Sequence, residues 1–173
     1  MRSLHITAAF ALAMVIIIVS SNILVQYPLG AWLTWGAITY PFSFLVVDLA
    51  NRYHGPRVAR QIVYVGFIFA LLLSAWLATP RIAVASGTAF LCAELLDVTV
   101  FNRLRRRTWW QPPLVSTLAA SVLDTVIFFS LAFAGTDVPW VTLAVGDFGV
   151  KLAIALFALL PFRLALRLVR PAN

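Results

Sequence analysis

The sequence predicts an all-α membrane protein of six transmembrane helices with both termini on the cytoplasmic side. Three observations carry this. Of 173 residues, 62% are hydrophobic and 11% charged, where a soluble domain is about a quarter charged, and the mean hydropathy is +0.96. Six runs reach the roughly 17 to 25 apolar residues that a bilayer crossing needs. The basic residues fall between these runs and almost all on one side.

The first run, 6–25, holds "ITAAFALAMVIIIVSSN". It is long for the apolar core of a signal peptide and no small-residue cleavage site follows it, so it reads as helix. Ala9 and Ala13 give it a small-xxx-small surface suited to close helix contact, and Asn22 ends it. The second run, 35–51, carries Tyr40 and Pro41 near its start and Asp48 near its end. Proline there predicts either a simple kink or a break beside a wet cavity. The third, 61–79, contains no charge and reads as scaffold. The fourth, 81–101, holds Glu94 and Asp97 and the single cysteine, Cys92, expected to be a buried small hydrophobe. The fifth, 114–134, carries Asp124, and the sixth, 139–162, carries Asp147 and Lys151. No linker or low-complexity stretch divides the chain, so residues 1–173 read as one domain.

Orientation follows from the loops, because cytoplasmic loops are enriched in Lys and Arg. Arg2, Arg52, Arg57, Arg60, Arg103, Arg105, Arg106, Arg107, Arg163, Arg167 and Arg170 fall on one side, and only Arg81 on the other. Trp32, Trp35, Trp76 and Trp140 near the outer ends, with Trp109 and Trp110 at an inner one, suit interfacial belts. A net charge of +7 distributed in this way reports topology and anionic lipid, not nucleic acid.

Acids inside the runs carry the functional signal. Five of the six, Asp48, Glu94, Asp97, Asp124 and Asp147, lie within predicted spans, where each costs at least about 2.5–3.5 kcal/mol. They are expected to face the interior, pair with cations and line a substrate or proton path. Asp48 has Arg52 at i+4 and is a candidate either for a structural ion pair with it or for a substrate contact, while Arg103 is a further ion-pair candidate after Asp97. "VVDLANR" and "LLDVTVFNR" suggest a similar cap at the ends of two parallel helices. Glu94 and Asp97, three apart, share a helix face and repel unless a proton or partner intervenes. Asp147 and Lys151, four apart, either neutralise one another or form a movable pair in a polar cavity, with Gly146 and Gly149 allowing close backbone approach.

Enzyme chemistry finds little support. An intramembrane aspartyl protease would need two aspartates at one depth sharing a proton, and Lys151 beside Asp147 opposes that. His5 and His54 are isolated, and neither metal-ligand spacing nor a phosphate-binding loop is present, so neither a cofactor nor a metal is expected.

"SSNILVQ" (20–26), "TWGAITYPFSFLVVDLANRYHGPRVAR" (34–60), "LLDVTVFNRLR" (95–105), "WWQPPLVST" (109–117), "SVLDTVIFF" (121–129) and "VGDFGVK" (145–151) together resemble the vitamin-uptake-like family of bacterial queuosine-precursor transporters. The resemblance implies an inner-membrane importer of 7-deazaguanine bases, the cyano or aminomethyl compounds salvaged for tRNA modification. It also implies a fold similar to the substrate-binding subunits of energy-coupling-factor vitamin importers. A subunit of that kind, dependent on an ATP-driven partner, is the alternative to an autonomous carrier, and a homodimer is a further expectation. A deazaguanine offers an N–H and an amine on one edge, which a carboxylate accepts in a fork. Asn22, Tyr40, Glu94, Asp97, Asp124, Asp147 and Lys151, with Trp35 or Phe42 as stacking platform, are the expected contacts. Energetics stay open between coupling through protonation of a cavity acid near Lys151 and facilitated diffusion.

Overall fold

The computed structural model describes residues 2–24, 27–29, 33–77 and 79–168. Gln26, Trp32 and Arg170 lie outside the described residues, as do the side chains of Arg2 and His5. The elements run α1 (Arg2–Leu24), β1 (Pro28–Leu29), β2 (Leu33–Thr34), α2 (Trp35–Thr39), α3 (Phe42–His54), α4 (Pro56–Leu77), α5 (Pro80–Leu104), α6 (Gln111–Phe133) and α7 (Trp140–Leu168). Among the described residues, α1, α4, α5, α6 and α7 are long and apolar enough to cross a membrane. The two-residue strands form a small antiparallel hairpin between α1 and α2, pairing Pro28 with Thr34 and Leu29 with Leu33.

One expected span is interrupted. In place of a single helix over 35–51, the chain forms α2 and α3, separated at Tyr40 and Pro41. Proline has no N–H to donate and disfavours helical geometry in the residue before it. Thr39 reinforces the stop, its hydroxyl donating to the carbonyls of Trp35 (3.3 Å) and Gly36 (3.2 Å). Pro41 then serves as the N-cap of α3, at φ −63°. The Tyr40 ring is thereby held at a joint between two helices.

Other helices outrun their apolar stretches, mostly at basic ends. α5 continues past Arg103 and α7 past Arg163 and Arg167. Backbone hydrogen bonding does not stop at a charge, and cations are favourable near a helix C-terminus. Pro56 begins α4 after Gly55, whose φ of 84° makes the turn from α3.

Two arginine caps fix the ends of the bundle. Arg105 donates from Nη1 to the carbonyl of Asn51 and from Nη2 to that of Arg52 (2.6 Å), while Arg52 donates back to the carbonyl of Arg105 (2.9 Å). Asn51 adds a bond to the carbonyl of Val98 (3.1 Å). The candidate Asp48–Arg52 ion pair therefore does not form: the guanidinium saturates carbonyls left open at helix ends. Arg103, the other ion-pair candidate, is exposed and makes no ion pair among the described residues. It is Arg105, two residues on, that reaches across to α3. At the opposite end, Arg81 donates to the carbonyls of Leu131 (2.8 Å) and Ala134. The one basic residue assigned to the outer side thus caps α6.

The main core joins α1, α3, α4 and α5 around Met14, Ile18, Val47, Ile62, Val63, Phe90 and Val98. Cys92 is exposed on α5, contrary to the burial expected of it. Gly146 and Gly149 are also exposed, and a Cβ on either would meet nothing within 4 Å. The close approach inferred for them from sequence does not occur. It occurs at Gly66, where a Cβ would stand 2.7 Å from Met14 Cγ and 3.2 Å from Phe90 Cζ.

Gly66→Val is expected to destabilise the bundle by about 1–3 kcal/mol through overpacking. A lowered melting temperature of the purified protein in detergent is the readout, and an unchanged one would contradict this account of α1 against α4.

Candidate substrate site

The chain contains a single lysine, and Lys151 is 3% exposed on the inward face of α7. Its ammonium donates to Asp124 Oδ2 (2.5 Å), Asp147 Oδ2 (2.5 Å) and the Thr125 hydroxyl (3.1 Å). The i,i+4 pair of Asp147 and Lys151 is thus present, with a second carboxylate from α6 that the spacing on α7 did not reveal. Asp124 is shared in turn: Tyr40 donates its hydroxyl to Oδ1 (3.0 Å), and Thr125 donates to Asp147 (3.0 Å). The ammonium also lies 5.6 Å from the Tyr40 ring centroid, a cation–π distance.

Two carboxylates and one ammonium leave one formal negative charge, spread over groups that already accept hydrogen bonds from Tyr40 and Thr125. Such a set is stable only while intact, because removing one member of a buried ion pair strands the others. It can also exchange partners: a ligand donating two N–H groups to Asp124 would replace Tyr40 and Lys151 there, and free the ammonium for an acceptor on that ligand. The planar surface nearest this position is aromatic. Tyr40 packs edge-on against Phe44 (6.1 Å between centroids) and Phe90 (6.3 Å).

A second group of acids lies beside the first. Glu94 and Asp97 on α5 are both 0% exposed, and Asp48 on α3 is 2% exposed. Asp48 accepts from Ser116 (3.3 Å) and Thr117 (3.4 Å) of α6. All four carboxylate oxygens of Glu94 and Asp97 lack a hydrogen-bond partner, as do the buried hydroxyls of Ser43 and Ser121. Among the described residues no Lys, Arg or His lies in ion-pair range of these three acids.

The residues expected from sequence divide accordingly. Tyr40, Asp124, Asp147 and Lys151 form one hydrogen-bonded set, and Asp48, Glu94 and Asp97 cluster beside it. Asn22 stands apart: its amide donates to the carbonyl of Ile18 (2.9 Å) and accepts from Ser74 of α4 (3.1 Å). Trp35 is 46% exposed at the start of α2 and Phe42 is half-buried at the start of α3. Neither packs on the Tyr40 ring; Phe44 and Phe90 do. Sequence reasoning missed Thr125, Ser116, Thr117 and Ser121, although a signal was present. Residues 117, 121 and 124–125 recur at one-turn intervals and so line one face of α6.

Lys151→Met is expected to destabilise the protein by about 3–5 kcal/mol, the cost of stranding buried charge. Adding Asp124→Asn and Asp147→Asn to it should recover much of that loss. Thermal melting of the single and triple variants measures both, and a single variant as stable as the parent would contradict the pairing.

Known proteins provide a comparison for this geometry. A family model described as "Putative vitamin uptake transporter" matches residues 34–79 and 73–166. The chain is 39% identical over 175 residues to the "Queuosine precursor transporter" of Escherichia coli, covering 84% of this chain and 79% of that protein. It is 34% identical over 188 residues to the "Probable queuosine precursor transporter" of Haemophilus influenzae, covering 85% and 80%. To the protein of that same name from Bacillus subtilis it is 28% identical over 173 residues, covering 82% and 75%. No solved structure matches the chain significantly.

Proposed function

The chain belongs to the family described as putative vitamin uptake transporters, and from that membership we propose that it is a multi-pass inner-membrane carrier importing queuosine precursors. The substrates are 7-cyano-7-deazaguanine or its aminomethyl counterpart, salvaged for tRNA modification. The observation that carries the reading to a site is the single lysine held between Asp124 and Asp147 with Tyr40 against it. It lies in a chain whose relatives bear that transporter name.

In this reading α2 and α3 together make the second of six crossings, and the arginine-rich ends face the cytoplasm with both termini. Asp124 accepts the adjacent N–H and amine of the base in a fork. Lys151, released from Asp124 but kept by Asp147, donates to the carbonyl. Tyr40, with Phe44 and Phe90 behind it, presents the aromatic face, and Trp35 and Phe42 flank the joint through which the base enters. Opening and closing of that joint alternates access, because a proline break lets α2 move without unwinding α3. The carrier works without an ATP-hydrolysing partner, since the buried charges supply an internal exchange of partners between empty and loaded states.

Purified protein is expected to bind 7-cyano-7-deazaguanine in preference to guanine. Asp124→Asn should weaken binding about 10- to 100-fold, the range for losing hydrogen bonds to a charged acceptor. Isothermal titration in detergent is the measurement, and wild-type protein that is folded yet binds neither base would contradict the assignment.

A further inference from the structure

The proposed substrate site uses Asp124, Asp147 and Lys151 and makes no use of Asp48, nor of Glu94 and Asp97, which the sequence had offered as contacts and which the proposal below takes out of the binding site. These acids are buried as deeply as the core phenylalanines, yet no cation faces them. From α3 the charged groups near them are Asp48 itself and, one turn on, Arg52, whose guanidinium is committed to the Arg105 carbonyl. From α5 they are Glu94 and Asp97, and from α6 Asp124 together with the hydroxyls of Ser116, Thr117 and Ser121. From α7 the cation is Lys151, bound to Asp124 and Asp147.

Geometry divides the cluster further. The Asn51 amide of α3 donates to the Val98 carbonyl of α5 (3.1 Å), which sets the stretches that carry Asp48 and Asp97 side by side, with both carboxyl groups buried. Two ionised carboxylates cannot bond to each other, so a contact between them becomes favourable only when one of them carries a proton. Asp48 already accepts from two hydroxyls, which suits the ionised partner, whereas Asp97 has no donor at either oxygen. Glu94 stands one turn from Asp97 on the buried face of α5, toward the end of the helix nearer the substrate site, and so links the pair to it. Toward the other side, Asp48 lines a small, partly open crevice between α3, α6 and α7, bounded by Pro41, Leu45, Thr117, Ala158 and Leu159. Buried protonatable groups therefore follow one another from Tyr40 and Asp124 to the crevice.

We propose that the Asp48–Asp97 pair holds one exchangeable proton, received through Glu94 from the substrate side, and that its passage to the cytoplasm drives accumulation of the base. The protein is then a proton-coupled importer, with Asp97 a coupling residue that does not touch substrate. The step balances simply. A hydronium ion outside loses a proton and an O–H bond forms on Glu94; that bond breaks as one forms on the Asp48–Asp97 pair, and the latter breaks as water on the cytoplasmic side takes the proton. No electron moves, and a neutral base enters with one positive charge. This rests on the reading of the chain as a deazaguanine carrier. It places the proton on α3 and α5, away from the Asp147–Lys151 pair that the sequence suggested.

The experiment uses full-length protein in liposomes with labelled 7-cyano-7-deazaguanine. At equal pH on both sides, exchange of internal for external base reports carriage alone. With the outside made acidic, the wild type should accumulate base above its external concentration, and a protonophore should abolish this. Asp97→Asn should keep binding affinity within about twofold of wild type and keep exchange, yet lose acid-driven accumulation. Asp48→Asn, which retains the volume and the hydroxyl contacts, should do the same and serves if the first variant does not fold. Wild-type exchange without acid-driven accumulation would overturn the coupling while leaving the carrier reading intact, and so would accumulation that survives in a folded variant. Absence of exchange in the wild type would overturn the carrier reading and this inference with it.

Discussion

Charge buried in a membrane must be paired, and this chain has one lysine to pair with. That constraint organises the molecule. Lys151 draws Asp124 of α6 and Asp147 of its own helix to one point, and Tyr40, at the joint between α2 and α3, closes on Asp124 from the other side. Three separate stretches of chain are thereby tied at a single ammonium group. With Lys151 committed there, no cation among the described residues reaches the acids on α3 and α5, of which only Asp48 accepts from hydroxyls. The proposed division of labour between a substrate site and a proton site rests on that shortage of cations.

The broken helix serves the same centre. Had residues 35–54 formed one continuous helix, Tyr40 would be one side chain among many on a rigid rod. Pro41 and the Thr39 hydroxyl end α2 and leave the phenol at a helix joint, bonded to the acid that the proposed ligand would claim. In the proposed reading, loading the site disturbs the joint. The far ends are held more firmly, with Arg105 and Arg52 locking α3 to α5 and Arg81 capping α6.

Much of this was legible in the sequence, and the exceptions share a cause. Hydropathy located the long helices, and the cost of acids in lipid singled out Asp48, Glu94, Asp97, Asp124 and Asp147 before any coordinates. The resemblance carried by six short motifs identified the family. Spacing along one helix cannot report partners on another, so Asp147–Lys151 was visible while the share of Asp124 in Lys151 was not. For the same reason Arg52 was offered to Asp48, four residues away, when its acceptor, the Arg105 carbonyl at the C-terminal cap of α5, lay across the bundle. Gly146 and Gly149 misled because glycine permits close approach without requiring it; the glycine that is tightly packed, Gly66, sits in an unremarked apolar run. The partners of Asn22, the Ile18 carbonyl and the Ser74 hydroxyl of α4, were not legible from its own stretch of sequence.

The most direct test is a structure of the protein with 7-cyano-7-deazaguanine bound, at a resolution that distinguishes side-chain contacts. Lys151 released from Asp124 while still on Asp147, with the N–H edge of the base at Asp124 and Tyr40 against its face, is the expected arrangement. A base bound elsewhere, with the contacts of Asp124, Lys151 and Tyr40 unchanged, would show that the buried lysine holds the bundle together and does not read the substrate.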